Sequence, residues 1–375
     1  MLKGVYLTLM VGPVVPIPVP QVVLDALTGV EVMVNDTGAS GFQLTFTLSN
    51  DSPLHTLFLL AGSNPIPFMR VIIIATLNGI PNVLMDGVIT NQQVAPGGDA
   101  SHSTLTVTGE DLSALMNQQE FSGLPFPAMP AEARVALTLV KYAFLGIIPL
   151  VIPSILLDVP IPTEEIPTQQ GTDLAYIRQL ADNVGYVFYI DPGPVPGTSI
   201  AYWGPQVKVG IPQPALNINM DAFTNVETLT FNFDSQSRTL PVVLIQNAET
   251  KIPIPIPIPE ISPLNPPLGL IPPSPNKIEF LNDTAKLNPI RAALEGLRRA
   301  SKSTDAVTGS GSLDVIHYGR ILKARQLVGV RGAGLAFDGL YYVNSVTHSI
   351  KRGEYKQSFK LSRNGLVSIV PQVIP

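Results

Sequence analysis

The chain has 375 residues, of which 45% are hydrophobic and 14% are charged, and its formal net charge at pH 7 is −5. The absence of cysteine excludes disulfide bonds, thiolate metal sites and cysteine nucleophiles, and the acidic pI of about 5.4 argues against a nucleic-acid partner. A chain of this length suits two or three domains. Its mean hydropathy of +0.29 is high for a free monomer, so we expect contacts between subunits to cover apolar surface.

The sequence predicts neither insertion into a membrane nor export. The best candidate for a spanning segment, residues 142–159, is interrupted by Pro149 and Pro153 and has no basic residue flanking its C-terminal end. Four prolines between residues 13 and 20 break up the apolar segment that a signal peptide needs. We therefore expect synthesis and assembly in the cytoplasm.

Residues 1–110 are predicted to form a first β-domain. Apolar residues at positions 42, 44, 46 and 48 alternate with polar ones, as in a strand with one buried face. Arg70–Leu77 is nearly all apolar, which is typical of a strand covered on both faces. Asn78-Gly79 then predicts a tight turn into a strand over residues 83–90. Many short strands without helices between them indicate a barrel or a sandwich.

Residues 111–197 are predicted to form an α/β insert. Helices are expected over residues 111–116 and 131–142, and Thr172-Asp173 is a capping pair that opens a third helix. Apolar residues at positions 174, 177, 180, 181 and 184 share one face of that helix, and Gly185 ends it. A short strand is expected over residues 186–190, and the aliphatic helix face is expected to pack on a neighbouring domain.

A second β-domain is predicted over residues 198–247 and 308–368, beginning with a strand at residues 199–203. The insertion between its two parts, residues 248–307, opens with isoleucine and proline alternating from Ile252 to Pro259. Proline at every second position excludes a helix and a central strand, so we expect extended chain lying along a protein surface. A basic amphipathic helix is expected over residues 290–300, then a flexible joint at residues 308–312, and residues 369–375 form a tail.

The two β-domains carry the same pattern about 250 residues apart. MDGVI at residues 85–89 leads into STLTVT at 103–108, and FDGLY at 337–341 leads into QSFKLS at 357–362. QLTFTLS at 43–49 likewise resembles TLTFNFD at 228–234. These matches predict two related β-domains in tandem, so that three such chains in a ring would present six similar domains.

Charge is distributed unevenly between the two β-domains. Residues 1–110 contain Lys3 and Arg70 against seven acidic residues, whereas residues 320–363 contain nine basic residues against Asp338 and Glu354. Two explanations are open: the basic residues form a solvated face, or the acidic domain of one subunit lies beside the basic domain of the next.

No catalytic, cofactor-binding or metal-binding residue is predicted, and we expect no cofactor. The four histidines, His55, His102, His317 and His348, are scattered singly, without metal-ligand spacing or a carboxylate pattern. Glu164-Glu165 lies between prolines and is expected to form a solvated turn.

The glycine-rich segments also lack a catalytic or phosphate-binding pattern. The segment from Gly329 to Gly334 has neither the order of a phosphate-binding loop nor a helix after it, and a turn between strands explains its glycines. Gly309-Ser310-Gly311 does not have the spacing of a nucleophile elbow. A carboxylate pair assembled from distant positions, as in a cell-wall hydrolase, stays an alternative.

Three segments carry a resemblance to a known family. They are VTGEDL at residues 107–112, YIRQLADNVGY at 176–186, and a closing run from FDGLYYV at 337–343 through His348 to YKQSF at 355–359. In their order and spacing they resemble the phage late control D family, the baseplate hub proteins of contractile tails and injection systems, which are related to the hub half of VgrG spike proteins. The resemblance covers most of the chain.

The resemblance implies an α+β fold, mainly β, with two tandem tube-like β-barrels at residues 1–110 and at 198–247 with 308–368. It implies a homotrimer with pseudo-sixfold symmetry that joins a hexameric inner tube to a trimeric spike within a phage tail-like particle. The fused spike of some relatives has no counterpart in this sequence, so a separate VgrG-like spike protein is an expected partner, along with the tube protein and other baseplate proteins. A tube or tail-terminator ring protein and a baseplate-associated cell-wall hydrolase are the alternatives.

Overall fold

The computed structural model describes residues 4–48, 68–96, 103–154, 156, 158–236, 239–246, 253–258, 264–281, 283–284, 289–301 and 305–370. Two of the four histidines, His55 and His102, lie outside these described residues, as do the ends of the Ile-Pro run at Ile252 and Pro259. The fold is α+β and mainly β, as the sequence predicted.

Strands outnumber helices throughout the described part of the chain. The strands are β1 (Val5–Gly12), β2 (Ile17–Pro18), β3 (Leu27–Asn35), β4 (Gly41–Leu48), β5 (Arg70–Leu77), β6 (Ile80–Ala95), β7 (Ser103–Asp111), β8 (Glu120–Pro125), β9 (Ile147–Val151), β10 (Thr168–Thr172), β11 (Val187–Pro192), β12 (Ser199–Gly204), β13 (Gln213–Asn217), β14 (Thr228–Phe233), β15 (Thr239–Gln246), β16 (Pro253–Pro257), β17 (Gly269–Ile271), β18 (Lys277–Leu281), β19 (Val307–Asp314), β20 (Leu327–Arg331), β21 (Gly339–Lys351), β22 (Glu354–Arg363) and β23 (Leu366–Ser368). The α-helices are α1 (Gln21–Ala26), α2 (Ala131–Val140), α3 (Asp173–Asn183), α4 (Pro289–Ser301) and α5 (Val315–Tyr318), and 3₁₀ helices span Leu112–Asn117, Ala143–Leu145 and Asp221–Phe223.

One large sheet of 13 strands contains two copies of the same motif. The first repeat consists of β3, β4, β5, β6 and β7, and the second consists of β14, β19, β20, β21 and β22. In each repeat the five strands, numbered by chain order, lie in the sheet order 1-2-5-4-3, and every neighbouring pair is antiparallel. The topology therefore bears out the internal repeat, although the two sequences share only short patterns.

The strand equivalences differ in one place from those the sequence predicted. By position in the sheet, β14 corresponds to β3 and β19 corresponds to β4, whereas the sequence had matched β14 with β4. The misleading similarity arises because β4 and β14 both alternate phenylalanine with threonine or asparagine. The match of β6 with β21 and of β7 with β22 is confirmed. The hydrogen-bonded strand pairs β6–β7 and β21–β22 each have a register shift, at Thr90 in the first and at Asn344 in the second.

Glycines on the buried face of β19 make room for aromatic rings, so residues 308–312 form part of a strand and not a flexible joint. A Cβ on Gly309 would lie 2.9 Å from Cε1 of Phe231, and one on Gly311 would lie 2.8 Å from Cζ of Phe359. The prediction of a joint was wrong because Gly-Ser alternation is typical both of linkers and of a strand that faces large side chains.

The α/β insert has its own core. α3 buries Leu174, Ile177 and Leu180 mainly in this core, whereas the sequence predicted that they pack on a neighbouring domain. As predicted, Thr172 caps the helix, since its Oγ1 accepts a hydrogen bond from the N–H of Ala175. Strands β11, β12 and β9 form a separate three-stranded sheet. β12, which the sequence assigned to the start of the second β-domain, thus pairs inside the insert. The expected helix at residues 111–116 is present as the 3₁₀ helix Leu112–Asn117.

The insertion of the second repeat forms a three-stranded sheet in the order β16-β15-β18, with α4 packed on β15. β16 contains the described part of the Ile-Pro run and is an edge strand along the chain's own surface. Its position agrees with the expectation that proline excludes a central strand.

The strands of the two repeats continue from one into the other and form no closed barrel among the described residues. The single path runs from β14 through β21 and β3 to β1, so two separate barrels are not what the monomer contains. None of the described helices is both long and apolar enough to cross a membrane. Residues 142–159 contain instead the short 3₁₀ helix Ala143–Leu145 and strand β9.

Candidate assembly interface

The two repeats join where β21 pairs with β3. The pairs run antiparallel from Ser345 opposite Asn35 to Lys351 opposite Gly29. β21 pairs with β20 over its first residues and with β3 after the register shift at Asn344. β21, which is strand 4 of the second repeat, is therefore long enough to pair with two strands along the same edge. These are β20, strand 3 of its own repeat, and β3, strand 1 of the first repeat.

Arg325 fixes this junction from the second repeat. Its side chain is 4% exposed, and its Nε–H donates to the backbone oxygen of Asn35 at 2.9 Å. Its Nη1 donates to Oδ1 of Asp191 in the insert at 2.7 Å, and its guanidinium lies 3.9 Å from the ring centre of Tyr189. The residue has a positive φ of 64°, a conformation that tertiary contacts must hold in place.

Asp36 lies beside the junction and is almost fully buried. Its Oδ2 accepts hydrogen bonds of 3.0 Å from the side-chain amides of Gln206 and Asn344, and its N–H donates to the backbone oxygen of Asn344 at 2.8 Å. Burial raises the pKa of Asp36 above its usual 3.8, although the hydrogen bonds from Asn344 and Thr37 and the charge of Arg325 work in the opposite direction. The carboxylate thus closes the loop after β3 against the bulge in β21.

Each repeat has one edge to which no described strand pairs. In the first repeat β6 pairs with β5 as far as Val88, and residues Asn91 to Ala95 beyond the register shift have no partner on that side among the described residues. In the second repeat β14 pairs only with β19 among the described residues. β6 is the equivalent of β21 and β14 is the equivalent of β3, so these two open edges are the equivalents of the two strands that meet at the internal junction.

The open edges expose apolar side chains toward the core side of the sheet. Val94 of β6 is 42% exposed, and Phe231 and Phe233 of β14 are half-buried. Leu105 and Val107, the neighbours of this part of β6 in β7, are fully buried. The apolar core therefore extends to strands that lack a described pairing partner on one edge. The same arrangement occurs in proteins whose sheets continue into a partner.

The face of the sheet that points away from the core carries short, mostly uncharged polar side chains. Its exposed or half-exposed uncharged polar members include Gln43, Thr45, Thr47, Asn91, Gln93, Thr104, Thr106, Thr108, Thr228, Thr230, Asn232, Thr308, Ser310, Ser312, Ser345, Thr347, Ser349 and Ser358, and its charged members include Glu31, Lys356 and Lys360. Many of them lie opposite one another on paired strands, and the hydroxyls of Thr228 and Ser312 are 2.9 Å apart. This hydroxyl face covers both repeats, and at the junction between them β3 adds Met33 opposite Thr347 and Glu31 opposite Ser349.

The insert is attached to the first repeat through a buried ion pair. Nη2 of Arg70 lies 2.6 Å from Oδ2 of Asp86, and the two side chains are 3% and 0% exposed. Oγ of Ser199 donates to the same carboxylate, and Nη2 of Arg70 also donates to the backbone oxygen of Gly197. Arg70 and Asp86 thus lie between the sheet and the insert and fix their relative position.

The residues that the sequence considered as possible site residues are dispersed. His317 is exposed on α5, and His348 is buried on β21, where Nδ1 lies 2.8 Å from the hydroxyl of Tyr355. Burial lowers the pKa of His348 from 6.5 to about 4. Glu164 is exposed, and Glu165 binds Nη1 of Arg291 at 2.7 Å instead of facing only solvent.

The segment from Gly329 to Gly334 covers the end of β20 and the start of its turn toward β21, so its glycines lie at a turn between strands, as the sequence predicted. Gly332 has a φ of 85°, and a Cβ there would lie 1.9 Å from the backbone oxygen of Ile218. Within the part of the chain that the structure describes, no group of three or more histidine, aspartate or glutamate side chains could hold a metal ion.

The sequence missed the residues that define the junction. Nothing in its local pattern distinguishes Arg325 from the eight other basic residues between 320 and 363, yet Arg325 and Arg363 are buried. Those two therefore belong to the interior and not to the predicted basic face. The arrangement of acidic and basic domains in neighbouring subunits stays a prediction.

No family model matches the sequence, and no curated protein matches it. Solved structures do match. A tail protein from Neisseria meningitidis MC58 is similar with a TM-score of 0.61 and 14% identity, over 97% of this chain and 98% of that one. The 43 kDa tail protein of prophage MuSo2 from Shewanella oneidensis has a TM-score of 0.58 and 13% identity, over 96% and 98% of the two chains.

A chain of the Francisella PdpA–VgrG complex is also similar, with a TM-score of 0.61 and 11% identity. The alignment covers all of this chain and 60% of the Francisella chain. At these identities the similarity establishes a shared fold. That fold occurs in phage tail proteins and in a chain of a VgrG-containing complex.

Proposed function

We propose that the chain is a structural baseplate hub of a phage tail or contractile injection system. In this proposal three copies form a ring of six repeats, which joins a hexameric inner tube on one face to a trimeric spike on the other. The partners are a tube protein, a separate VgrG-like spike and other baseplate proteins. Assembly takes place in the cytoplasm, and no chemical step is involved.

The observation that carries this proposal is the junction between β21 and β3. The same two kinds of edge are open at the ends of the chain, on β6 and β14. If β6 of one copy pairs with β14 of the next, every repeat contacts its neighbour in the same way, and a set of such copies closes into a ring. Any barrel in this ring is then built from strands of more than one chain.

Ring closure accounts for two further properties of the chain. It covers Val94 and Phe231, which the monomer leaves partly exposed, and interfaces of this obligate kind bury more than about 2,000 Å² of mostly apolar surface. The core face of the sheet is covered by the rest of each subunit. The hydroxyl face is therefore the one that lines the lumen of the ring. Most side chains of this face are short and uncharged and offer little for a passing molecule to bind, as a conduit requires.

The shared fold with two tail proteins and with a chain of a VgrG-containing complex supports a place in a tail or baseplate. The stoichiometry of three follows from the resemblance to hub proteins and from the presence of two repeats per chain. Three chains present six similar repeats to the six subunits of the tube, which removes the mismatch between sixfold and threefold symmetry.

The mass of the purified oligomer, measured by light scattering, tests the proposal. Three copies per particle support the hub, six copies support a tube or terminator ring, and a persistent monomer excludes both. A monomer that degrades purified cell wall would support the hydrolase alternative. Image averages along the particle axis, with six lobes for three chains, would identify the pseudo-sixfold ring directly.

A further inference from the structure

The Ile-Pro run forms a strand that can pair on only one side. β16 pairs antiparallel with β15, with Ile256 opposite Val243 and Pro255 opposite Leu244. The N–H of Ile258 donates to the backbone oxygen of Pro241 at 3.0 Å, one step beyond the last pair of the strand. In an antiparallel pair the residues that bond to the partner alternate with residues whose N–H and C=O point away.

This alternation directs every proline nitrogen outward. Since Ile258 bonds toward β15, Ile256 and Ile254 do so as well, and Pro253, Pro255 and Pro257 point their backbone to the outer edge. Proline has no N–H. The outer edge of β16 therefore presents carbonyl oxygens and no hydrogen-bond donor along its described length.

The edge is exposed, and the side chains beside it are apolar. Ile254 and Ile256 are 46% and 38% exposed, and Pro255 and Pro257 are exposed. An exposed apolar edge strand is a template for association with another strand unless something blocks it. Charged side chains often do this, but β16 has none.

We propose that the alternating prolines are a block to strand pairing, which closes the outer edge of the β16-β15-β18 sheet to other chains. The open edges of β6 and β14 contain no proline between Asn91 and Ala95 or within β14, so they keep their donors. The contrast directs association to those two edges and prevents it at β16. The inference does not depend on the number of copies in the assembly.

The test restores the missing donors. The variant Pro253→Val/Pro255→Val/Pro257→Val keeps every bond to β15 and adds three outward N–H groups. Two variant chains bring six new N–H groups to this edge, and if only three of them form hydrogen bonds, each worth roughly a factor of five, self-association is expected to tighten about a hundredfold. Sedimentation velocity is expected to find species larger than those of the wild type, increasing with concentration. Hydrogen exchange is expected to find the new amides at residues 253, 255 and 257 protected only in those species.

Two matched variants separate the block from general effects. Pro194→Val/Pro196→Val/Pro275→Val adds three N–H groups at exposed loop positions and is expected to sediment like the wild type. Pro253→Val/Pro255→Lys/Pro257→Val adds the same edge donors with a charge at the centre, which opposes pairing, and is also expected to sediment like the wild type. The single variant Pro255→Val gives the same readout with less effect on folding if the triple variant does not melt cooperatively.

The proposal is overturned if the edge variants, triple and single, sediment like the wild type over the whole concentration range. It is also overturned if the loop variant associates as strongly as the edge variant, or if the larger species leave the amides of residues 253, 255 and 257 unprotected. A wild type that proves monomeric would remove the hub proposal and leave this one intact, because the comparison is between variants of one chain.

Discussion

Arg325 donates a hydrogen bond from Nε to the backbone oxygen of Asn35, so a side chain of the second repeat ends the last strand pair that the second repeat makes with the first. The same guanidinium binds Asp191 of the insert. Three parts of the fold therefore depend on one cation, which lies next to the strand pair that serves as the template for contacts between copies.

Replacing Arg325 with methionine is expected to destabilise the chain by about 3 kcal/mol. The change leaves the oxygen of Asn35 without its charged donor in a half-buried place, while the half-exposed Asp191 is solvated by water. Urea unfolding measures the loss. Arg320→Met, at an exposed position, is the control and is expected to change stability by less than about 0.5 kcal/mol. Equal losses in the two variants would contradict the role assigned to Arg325.

The Arg70–Asp86 pair is expected to contribute far more to stability than an exposed pair of similar length. Asp86→Asn leaves a buried arginine without its counter-ion and is expected to cost about 3–5 kcal/mol. Glu165→Gln breaks the exposed pair with Arg291 and is expected to cost less than about 1 kcal/mol. Denaturant midpoints with a common slope give both values. A small loss for Asp86→Asn would mean that the insert is held by its apolar contacts alone.

Stability is expected to fall as the pH drops from about 6.5 toward 4 because His348 is buried in its neutral form. Burial lowers its pKa from 6.5 to about 4, so the unfolded chain binds a proton in this range and the folded chain does not. The stabilisation is complete above pH 6.5 and is lost progressively below it, up to about 3 kcal/mol. Asp36 acts in the opposite sense, since burial raises its pKa.

The contribution of His348 can be isolated by comparing two variants that both retain Asp36. His348→Gln is expected to flatten the dependence of unfolding free energy on pH between 6.5 and 4, whereas His317→Gln at an exposed position is expected to leave it unchanged. Thermal unfolding at several pH values supplies the measurement. Parallel curves for the wild type and His348→Gln would show that other groups cause the pH dependence.

The sequence predicted those parts of the fold that local chemistry determines. The buried strand β5, the Asn78-Gly79 turn and the capped helix α3 were found because apolar period, turn residues and capping residues all lie within a few positions of one another. The glycines of β19 were interpreted wrongly as a linker. Gly311 makes room for the ring of Phe359, which lies about fifty residues away in the sequence. Local pattern does not contain such a contact.

The junction between β21 and β3 could not be predicted from the sequence for the same reason. Whether a strand such as β21 closes its own barrel or continues into β3 depends on which edge is nearer after folding, and both choices bury the same alternating residues. The short matches at residues 85–89 and 337–341 did identify the repeat. They did not reveal that the repeats share one sheet.

The register of the proposed contact between copies follows from two rows of paired residues. In the first repeat the row across strands 4, 5, 2 and 1 is Gln93, Thr106, Thr45 and Gly29. In the second repeat the equivalent row is Thr347, Ser358, Ser312 and Thr228. Thr347 also pairs with Met33, four residues beyond Gly29. By the same step, Gln93 is predicted to pair with Asn232 of the next copy, four residues beyond Thr228.

This pair suits a disulfide test in a chain that has no cysteine of its own. Asp36 and Asn344 are hydrogen-bonded partners, so Met33 and Thr347, three steps away, form a non-bonded pair, in which Cα atoms are about 4.5 Å apart. That spacing is within the range for a disulfide. Gln93→Cys/Asn232→Cys is therefore expected to form disulfides between chains under mild oxidation, with a ladder in gels that ends at three chains.

Two further double variants make the result decisive. Met33→Cys/Thr347→Cys is expected to form its bond within one chain, which verifies the geometry on the described pair. Gln93→Cys/Thr230→Cys moves one cysteine two residues out of register, which places the Cα atoms about 7 Å apart, and is expected to react slowly. If a three-chain particle forms but only the Met33 pair is oxidised, the copies meet through other edges and the register is wrong. If no particle forms at all, the ring itself is excluded.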